Sequence, residues 1–215
     1  MEKMIINFHP SLVIIESEKT NELLMGVYDQ TYPLMVFRGS VNLMGGNPNP
    51  NDKGPLEVLL RELNEELASN HGEKDKFASK EDIKAIRLSI TQKIVPFKDF
   101  FFKIKKIPGG RETHTTIGSV FYSNINQNAF EIARENLSRN KKIVSEGGLS
   151  IQTLDGLAKK GKFYAAHLTA PILNEYYGVK IPFPEEVHTR VLVEPKETFE
   201  DYLQDFSYNN GWREH

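Results

Sequence analysis

Three closely spaced glutamates could bind a divalent cation. Glu62, Glu65 and Glu66 stand at i, i+3 and i+4, so an α-helix would place all three on one face. Carboxylate oxygens suit Mg²⁺ or Mn²⁺, and Mg²⁺ completes its coordination with water and phosphate oxygens. Gly45-Gly46 precedes them, and glycine lets a backbone carbonyl approach an ion closely. The pattern indicates metal-dependent phosphate chemistry, although glutamate-rich faces also occur on solvated helices.

The helix that carries these glutamates has clear sequence signals. Asp52 or Gly54 can cap it, and Pro55 suits the first helical position, where no N–H is needed. We expect the glutamates to lie largely off its apolar stripe. That stripe, predicted to face a core, consists of Leu56, Leu59, Leu60, Leu63 and Leu67.

Short apolar runs on either side of this helix predict strands. Before it, residues 11–16, 23–28 and 34–38 are predicted strands, and residues 41–44 lead into the glycines. After it, residues 100–104 and 115–122 predict two strands joined through a turn at 108–110. Further predictions are a helix or long excursion at 128–140, an apolar helix at 167–177, a strand at 187–193 and a short helix at 198–206.

The residues from the glycines to the helix resemble the box of the Nudix hydrolase family. That box runs Gly, five residues, Glu, seven residues, Arg-Glu-aliphatic-x-Glu-Glu-x-Gly, and its core is matched by Gly46, Arg61, Glu62, Leu63, Glu65 and Glu66. The resemblance implies an α+β fold, a Nudix-like α/β/α sandwich with a mixed sheet. We expect a single domain over residues 1–215, with a core at about 11–178 and a C-terminal extension at 179–215.

The resemblance also implies roles for individual residues. Glu65 and Glu66 would be the principal metal ligands, with the Gly46 carbonyl beside them. Glu62 would be a further ligand or the base that activates water. Arg61 would orient the glutamates.

Three more residues are candidates outside the box. Glu146 is a candidate distal ligand or base, against the alternative of an ordinary loop glutamate. Arg111 and His114 could contact a substrate phosphate, against the alternative of solvated loop residues.

The chain departs from the box at two places. The loop after Gly46 is one residue longer, so the first box glutamate falls at Lys53, with Asp52 beside it. Ala68 replaces the final glycine.

The function implied by the resemblance is hydrolysis of a diphosphate linkage in a nucleoside diphosphate derivative, with Mg²⁺ or Mn²⁺ as cofactor. Two alternatives stay open. One is a Nudix-fold module that binds a nucleotide without turning it over, and the other is an unrelated α/β protein. The aromatic residues Phe97, Phe100, Phe101 and Phe102 could stack on a base, but aromatic runs in strands favour packing.

Composition narrows the class of protein. The sequence of 215 residues contains no cysteine, which excludes disulfides, thiol nucleophiles and zinc–thiolate sites. A net charge of −2 argues against a nucleic-acid partner. No secretory signal or apolar stretch of about twenty residues is visible, so we expect a cytoplasmic enzyme without a membrane partner. The C-terminal part could cover the core or form a homodimer contact.

Overall fold

The computed structural model describes residues 10–67, 79–105, 114–138 and 148–191. Within those ranges, no helix is long and apolar enough to cross a membrane. The strands in chain order are β1 (Ser11–Ser17), β2 (Leu23–Val27), β3 (Val41–Asn42), β4 (Met44–Gly46), β5 (Val95–Ile104), β6 (His114–Ile125), β7 (Leu149–Gln152) and β8 (Val187–Val191). The α-helices are α1 (Pro55–Glu66), α2 (Lys80–Thr91), α3 (Gln127–Ser138), α4 (Leu154–Ala158) and α5 (Thr169–Tyr177).

The strands form an open mixed sheet. Its main order is β3-β2-β1-β6-β5-β8, while β4 pairs with β1 and β7 pairs with β2. The β1–β6 pair is parallel, and the other strand pairs are antiparallel. The Tyr122 hydroxyl of β6 donates a hydrogen bond to the buried Glu16 carboxylate of β1 at 2.7 Å. This mixed α/β architecture is compatible with the predicted α+β class.

Residues 41–46 pair in succession with two neighbouring strands. β3 runs antiparallel to β2, and β4 then runs antiparallel to β1, which is itself antiparallel to β2. The change of partner falls at Leu43, whose N–H donates a hydrogen bond to Thr169 Oγ1 of α5 at 3.1 Å. The second pairing places Gly45 and Gly46 opposite Leu12 and Ser11 at the start of β1.

The core has two parts, because alternate residues of each strand point to opposite faces of the sheet. One hydrophobic cluster joins Leu12 and Ile14 of β1 to Ile172 and Leu173 of α5. The other joins Val13 and Ile15 to residues of α1, α2 and α3. Helices therefore cover both faces of the sheet.

Helix α1 begins and packs largely as its sequence predicts. Gly54 is its N-cap and Pro55 occupies the first turn. Leu59, Leu63 and Leu67 are buried, and Leu60 is half-buried. The prediction for Leu56 was wrong, since its side chain is 45% exposed. Leu56 lies two turns before Leu63, in the first turn, where the described residues do not cover it.

One predicted strand, residues 34–38, is a 3₁₀-helix over Met35–Phe37. Its apolar residues do not alternate across a sheet: Phe37 is buried in the core, whereas Met35 is 60% exposed. β2 already pairs with β1, β3 and β7, so residues 34–38 cannot pair with it as a further strand. Tertiary context therefore overrides the strand-like composition.

The downstream predictions differ mainly in their boundaries. Strands β5 and β6 extend beyond the predicted runs, α3 begins one residue before its predicted region, and α5 lies within its region. β8 follows the predicted strand as far as Val191, where the described residues end. β8 pairs with β5, so part of the region assigned to a C-terminal extension belongs to the main sheet. The predicted turn at 108–110 and helix at 198–206 lie outside the described residues.

We expect Leu63→Ala to lower the free energy of unfolding by about 2–5 kcal/mol, because it leaves a cavity between α1 and the sheet. Leu56→Ala is the matched control on the same helix and should change that free energy by less than about 1 kcal/mol. Urea unfolding of both variants and the wild type measures the difference. Equal losses in the two variants would contradict the burial pattern of α1.

Candidate active site

Two glycines let β4 approach its neighbours closely. Gly45 has a φ of +128°, and a Cβ there would lie 2.0 Å from the Ser11 carbonyl oxygen. A Cβ on Gly46 would lie 2.4 Å from the Glu62 carboxyl carbon. Position 45 therefore requires glycine for its backbone conformation and its pairing with β1, whereas a side chain at Gly46 would displace the Glu62 carboxylate.

Two of the three glutamates face these glycines. The Gly45 N–H donates a hydrogen bond to Glu66 Oε2 at 3.1 Å, and Glu62 packs against Gly46. Glu65 points further outward, with 59% of its side chain exposed. Whereas Glu65 is exposed, Glu62 and Glu66 are half-buried. They lie on the side of α1 that faces β4, in space left by the missing glycine side chains.

Arg61 connects the glutamates to the loop before α1. Its guanidinium donates to Glu62 at 2.7 Å, to Glu65 at 3.3 Å and to Asp52 at 3.0 Å. It also donates to the Asn47 carbonyl at 2.7 Å. A planar guanidinium can satisfy several acceptors at once, so this single side chain ties both ends of the loop to the helix.

The surroundings of Asp52 and Glu62 shift the pKa values of their carboxyl groups in opposite directions. Hydrogen bonding from Arg61 lowers the pKa of Asp52, which stays ionised as the partner of the guanidinium. Burial raises the pKa of Glu62 and outweighs the opposing effect of Arg61. Glu62 is therefore the carboxylate of this group with an increased tendency to hold a proton, as a base that exchanges protons with water requires.

A cavity of about 550 Å³ lies beside these groups. Glu62, Glu65, Glu66 and both glycines line one part of its wall, and Arg61 is also part of it. The remaining wall includes Tyr28, Tyr32 and Asn42. Its volume is within the range of pockets that bind small molecules and cofactors.

The metal-ligand geometry expected from the sequence is not assembled in the described parts of the chain. Within residues 10–67, 79–105, 114–138 and 148–191, no three histidine, cysteine, aspartate or glutamate side chains come close enough together to hold a metal ion. Glu62 and Glu65 instead share the Arg61 guanidinium.

Comparison with known proteins gives no family. No protein-family model matches this chain, and no curated protein sequence matches it. The resemblance to the Nudix family therefore stays a prediction from the residues quoted above.

The site includes most of the predicted residues. Gly46, Arg61 and the three glutamates all line one cavity. Glu146 and Arg111 lie outside the described residues. His114 begins β6, where it pairs with Ile104 of β5.

Several residues of the site were missed by the sequence reasoning. Counting back from Arg61 gives Lys53 as the place of the first box glutamate, whereas counting forward from Gly46 gives Asp52, and it is Asp52 that pairs with Arg61. The Lys53 N–H instead donates to Glu57 at 2.8 Å. The signal available in the sequence was the acidic side chain of Asp52, one position before Lys53. Tyr28 and Tyr32 were also missed, although they flank the turn-forming residue Asp29.

We expect Asp52→Asn to weaken the link between the loop and α1. At about pH 7 the free energy of unfolding should fall by about 1 kcal/mol, because Arg61 loses one charged partner and keeps two. The pKa of Asp52 is lowered in the folded state, so its stabilisation is present above the unfolded pKa and is lost as the pH falls through the folded pKa. The difference between variant and wild type should therefore close in acid.

Urea unfolding over the range from about pH 7 to about pH 3 measures this effect. Asp155→Asn is the control, since Asp155 is an exposed aspartate on α4. It should leave the free energy of unfolding within about 0.5 kcal/mol of the wild type. A difference for Asp52→Asn that does not change with pH would show that the ion pair is not its source.

Proposed function

We propose that this protein is a metal-dependent hydrolase of the Nudix type that cleaves a diphosphate linkage in a nucleoside diphosphate derivative. The observation that carries the proposal is the packing of Glu62 and Glu66 against Gly45-Gly46 at the wall of a large cavity. Helices on both faces of a mixed sheet are consistent with a Nudix-like sandwich. We further propose that the enzyme is cytoplasmic and acts on small molecules.

The donors fit Mg²⁺ or Mn²⁺ by chemical type, although in the described parts of the chain their side chains are not close enough together to form a site. The ligands would be carboxylate oxygens of Glu62, Glu65 and Glu66 and the Gly46 carbonyl, all of the oxygen type that these ions take. Because Gly46 has no side chain, the Glu62 carboxylate lies directly beside its backbone; a Cβ on Gly46 would lie 2.4 Å from the Glu62 carboxyl carbon. When bound, the ion would neutralise phosphate charge and lower the pKa of a bound water.

The chain's own residues would supply placement and proton transfer. Glu62 lines the cavity, where its carboxylate would be either a further ligand or the base that takes a proton from an attacking water. Arg61 holds Glu62 in position and fixes the loop through Asp52 and Asn47. The Gly45 N–H holds Glu66, which would keep that carboxylate aimed at the same region.

A second candidate is a binding module that recognises a nucleotide without turning it over. The observation that favours it is the use of Arg61 as the counter-charge for Glu62 and Glu65. Within the described ranges, no three acidic, histidine or cysteine side chains converge on a point that could hold an ion. In this alternative the guanidinium takes the place of the cation in offsetting the carboxylate charge.

We expect metal-dependent release of phosphate or nucleotide from at least one compound in a panel of nucleoside triphosphates, dinucleoside polyphosphates, ADP-ribose, nucleotide sugars and coenzyme A. Activity should require Mg²⁺ or Mn²⁺ and be abolished by EDTA. Glu65→Gln should lower turnover by at least about tenfold, because a neutral amide is a poorer Mg²⁺ ligand.

Glu57→Gln is the matched control on the same helix, since Glu57 caps the Lys53 N–H and does not line the cavity. It should retain wild-type turnover. Circular dichroism checks that both variants fold. Wild-type turnover in Glu65→Gln would remove the assignment of this glutamate as a ligand. Absence of turnover by the wild type, with nucleotides still raising thermal stability, would favour the binding module.

A further inference from the structure

Two tyrosines form a rigid aromatic surface on the cavity wall. The rings of Tyr28 and Tyr32 stack with centroids 3.7 Å apart and an interplanar angle of 7°. Both residues line the cavity that contains the glutamates. When two tyrosine rings stack on each other, a further flat ring can stack on the outer face of the pair.

The backbone around the pair is held at several points. The Tyr28 N–H donates to the Ser40 carbonyl at 3.0 Å, and the Tyr28 carbonyl accepts from Gly39 at 2.8 Å. The Arg38 guanidinium donates to the Tyr32 carbonyl at 2.9 Å. The stacked surface is therefore positioned before any ligand arrives, which reduces the entropy lost on binding.

Asn42 contributes a polar group to the same cavity. Its side chain is only 8% exposed, and its Nδ2 donates to the Leu43 carbonyl at 3.1 Å. Within the part of the chain that the structure describes, its Oδ1 accepts no hydrogen bond. The oxygen lies beside Gly26, another residue of the cavity wall, where a Cβ would be 3.0 Å away. A buried acceptor without a donor is unfavourable, and a ligand N–H could satisfy it.

The phenylalanines considered from the sequence are not alternatives for this role. Phe100 and Phe102 are buried in the core, and Phe97 packs edge-on against Tyr176 with centroids 4.7 Å apart. None of the four phenylalanines, Phe101 included, lines the cavity beside the glutamates. Among the described residues, Tyr28 and Tyr32 are the pair of aromatic rings that lines it.

We propose that Tyr28, Tyr32 and Asn42 form a subsite for the base of a nucleotide whose phosphates face Glu62, Glu65 and Glu66. The proposal rests on the proposed function for the position of the phosphates. The base stacks on the tyrosine pair, and an N–H of the base donates to Asn42 Oδ1. The subsite selects compounds with a flat, hydrogen-bonding ring over diphosphates that lack one.

Nucleoside binding in EDTA tests the subsite without the metal and without phosphate. The probes are adenosine, guanosine, cytidine and uridine, titrated separately by ligand-observed NMR, with ribose as the sugar-only control. We expect at least one nucleoside to bind more tightly than ribose. The Tyr28→Leu/Tyr32→Leu double variant should weaken that binding by roughly 5- to 150-fold, because it removes ring stacking.

Two control variants separate stacking from folding. Tyr28→Phe/Tyr32→Phe keeps both rings and should bind within about twofold of the wild type. Tyr164→Leu alters a half-buried tyrosine that does not line the cavity, and should also leave binding unchanged. Equal affinity of the Leu/Leu and Phe/Phe variants would overturn the stacking surface, and so would failure of the wild type to bind any of the four nucleosides.

The role of Asn42 is tested with adenosine and purine riboside, which lacks the exocyclic amino group. We expect the wild type to favour adenosine and Asn42→Ala to lose that preference. Equal affinities in the wild type would overturn the hydrogen bond to Asn42. Because these titrations contain no metal, they can succeed when the hydrolase assay fails, and the reverse also holds, so the two proposals fail separately.

Discussion

The close approach of β4 to β1 and to α1 is the constraint on which the site depends. A side chain at Gly45 would overlap the Ser11 carbonyl, and one at Gly46 would overlap the Glu62 carboxylate. The same two residues thus determine how the sheet is paired and where two acidic side chains are placed. Because the glycine at 45 also adopts a left-handed φ, alanine there would add strain to a steric overlap. The placement of the glutamates and the sheet pairing are therefore not independent.

The acidic helix is kept stable by compensation between desolvation and ion pairing. Packing Glu62 against the backbone removes water from its carboxylate, which by itself disfavours the charged form. The 2.7 Å hydrogen bond from Arg61 to Glu62 offsets part of that cost. The contact of Arg61 with Asp52 holds the preceding loop against the helix. Glu65 remains mostly exposed, so its charge is largely screened by solvent. One guanidinium therefore serves carboxylates in three different environments.

Local sequence signals predicted the features that depend on neighbouring residues. Helix α1 was found because a proline start and repeated leucines agree with each other. Helix α2 was missed although Ser79 caps it and isoleucines repeat along it. The prediction of a strand at 34–38 was wrong, because apolar composition does not reveal that β2 cannot pair with a further strand. Asp52 was passed over because counting back from Arg61 gives Lys53, although counting forward from Gly46 gives Asp52. The Tyr28–Tyr32 pair could not be assigned, since the sequence does not give the path of a loop in space.

The parallel pairing of β1 with β6 has a consequence for how the protein folds. The hydrogen bond from Tyr122 to Glu16 joins residues separated by 106 positions, and the whole β1–β6 ladder has a comparable span. Closing so long a loop has a large entropic cost before the ladder stabilises it, which slows folding. During synthesis, β1, β4 and α1 leave the ribosome well before β6. The glycine and glutamate pocket must therefore remain without its central sheet partner until more than half of the chain has been made.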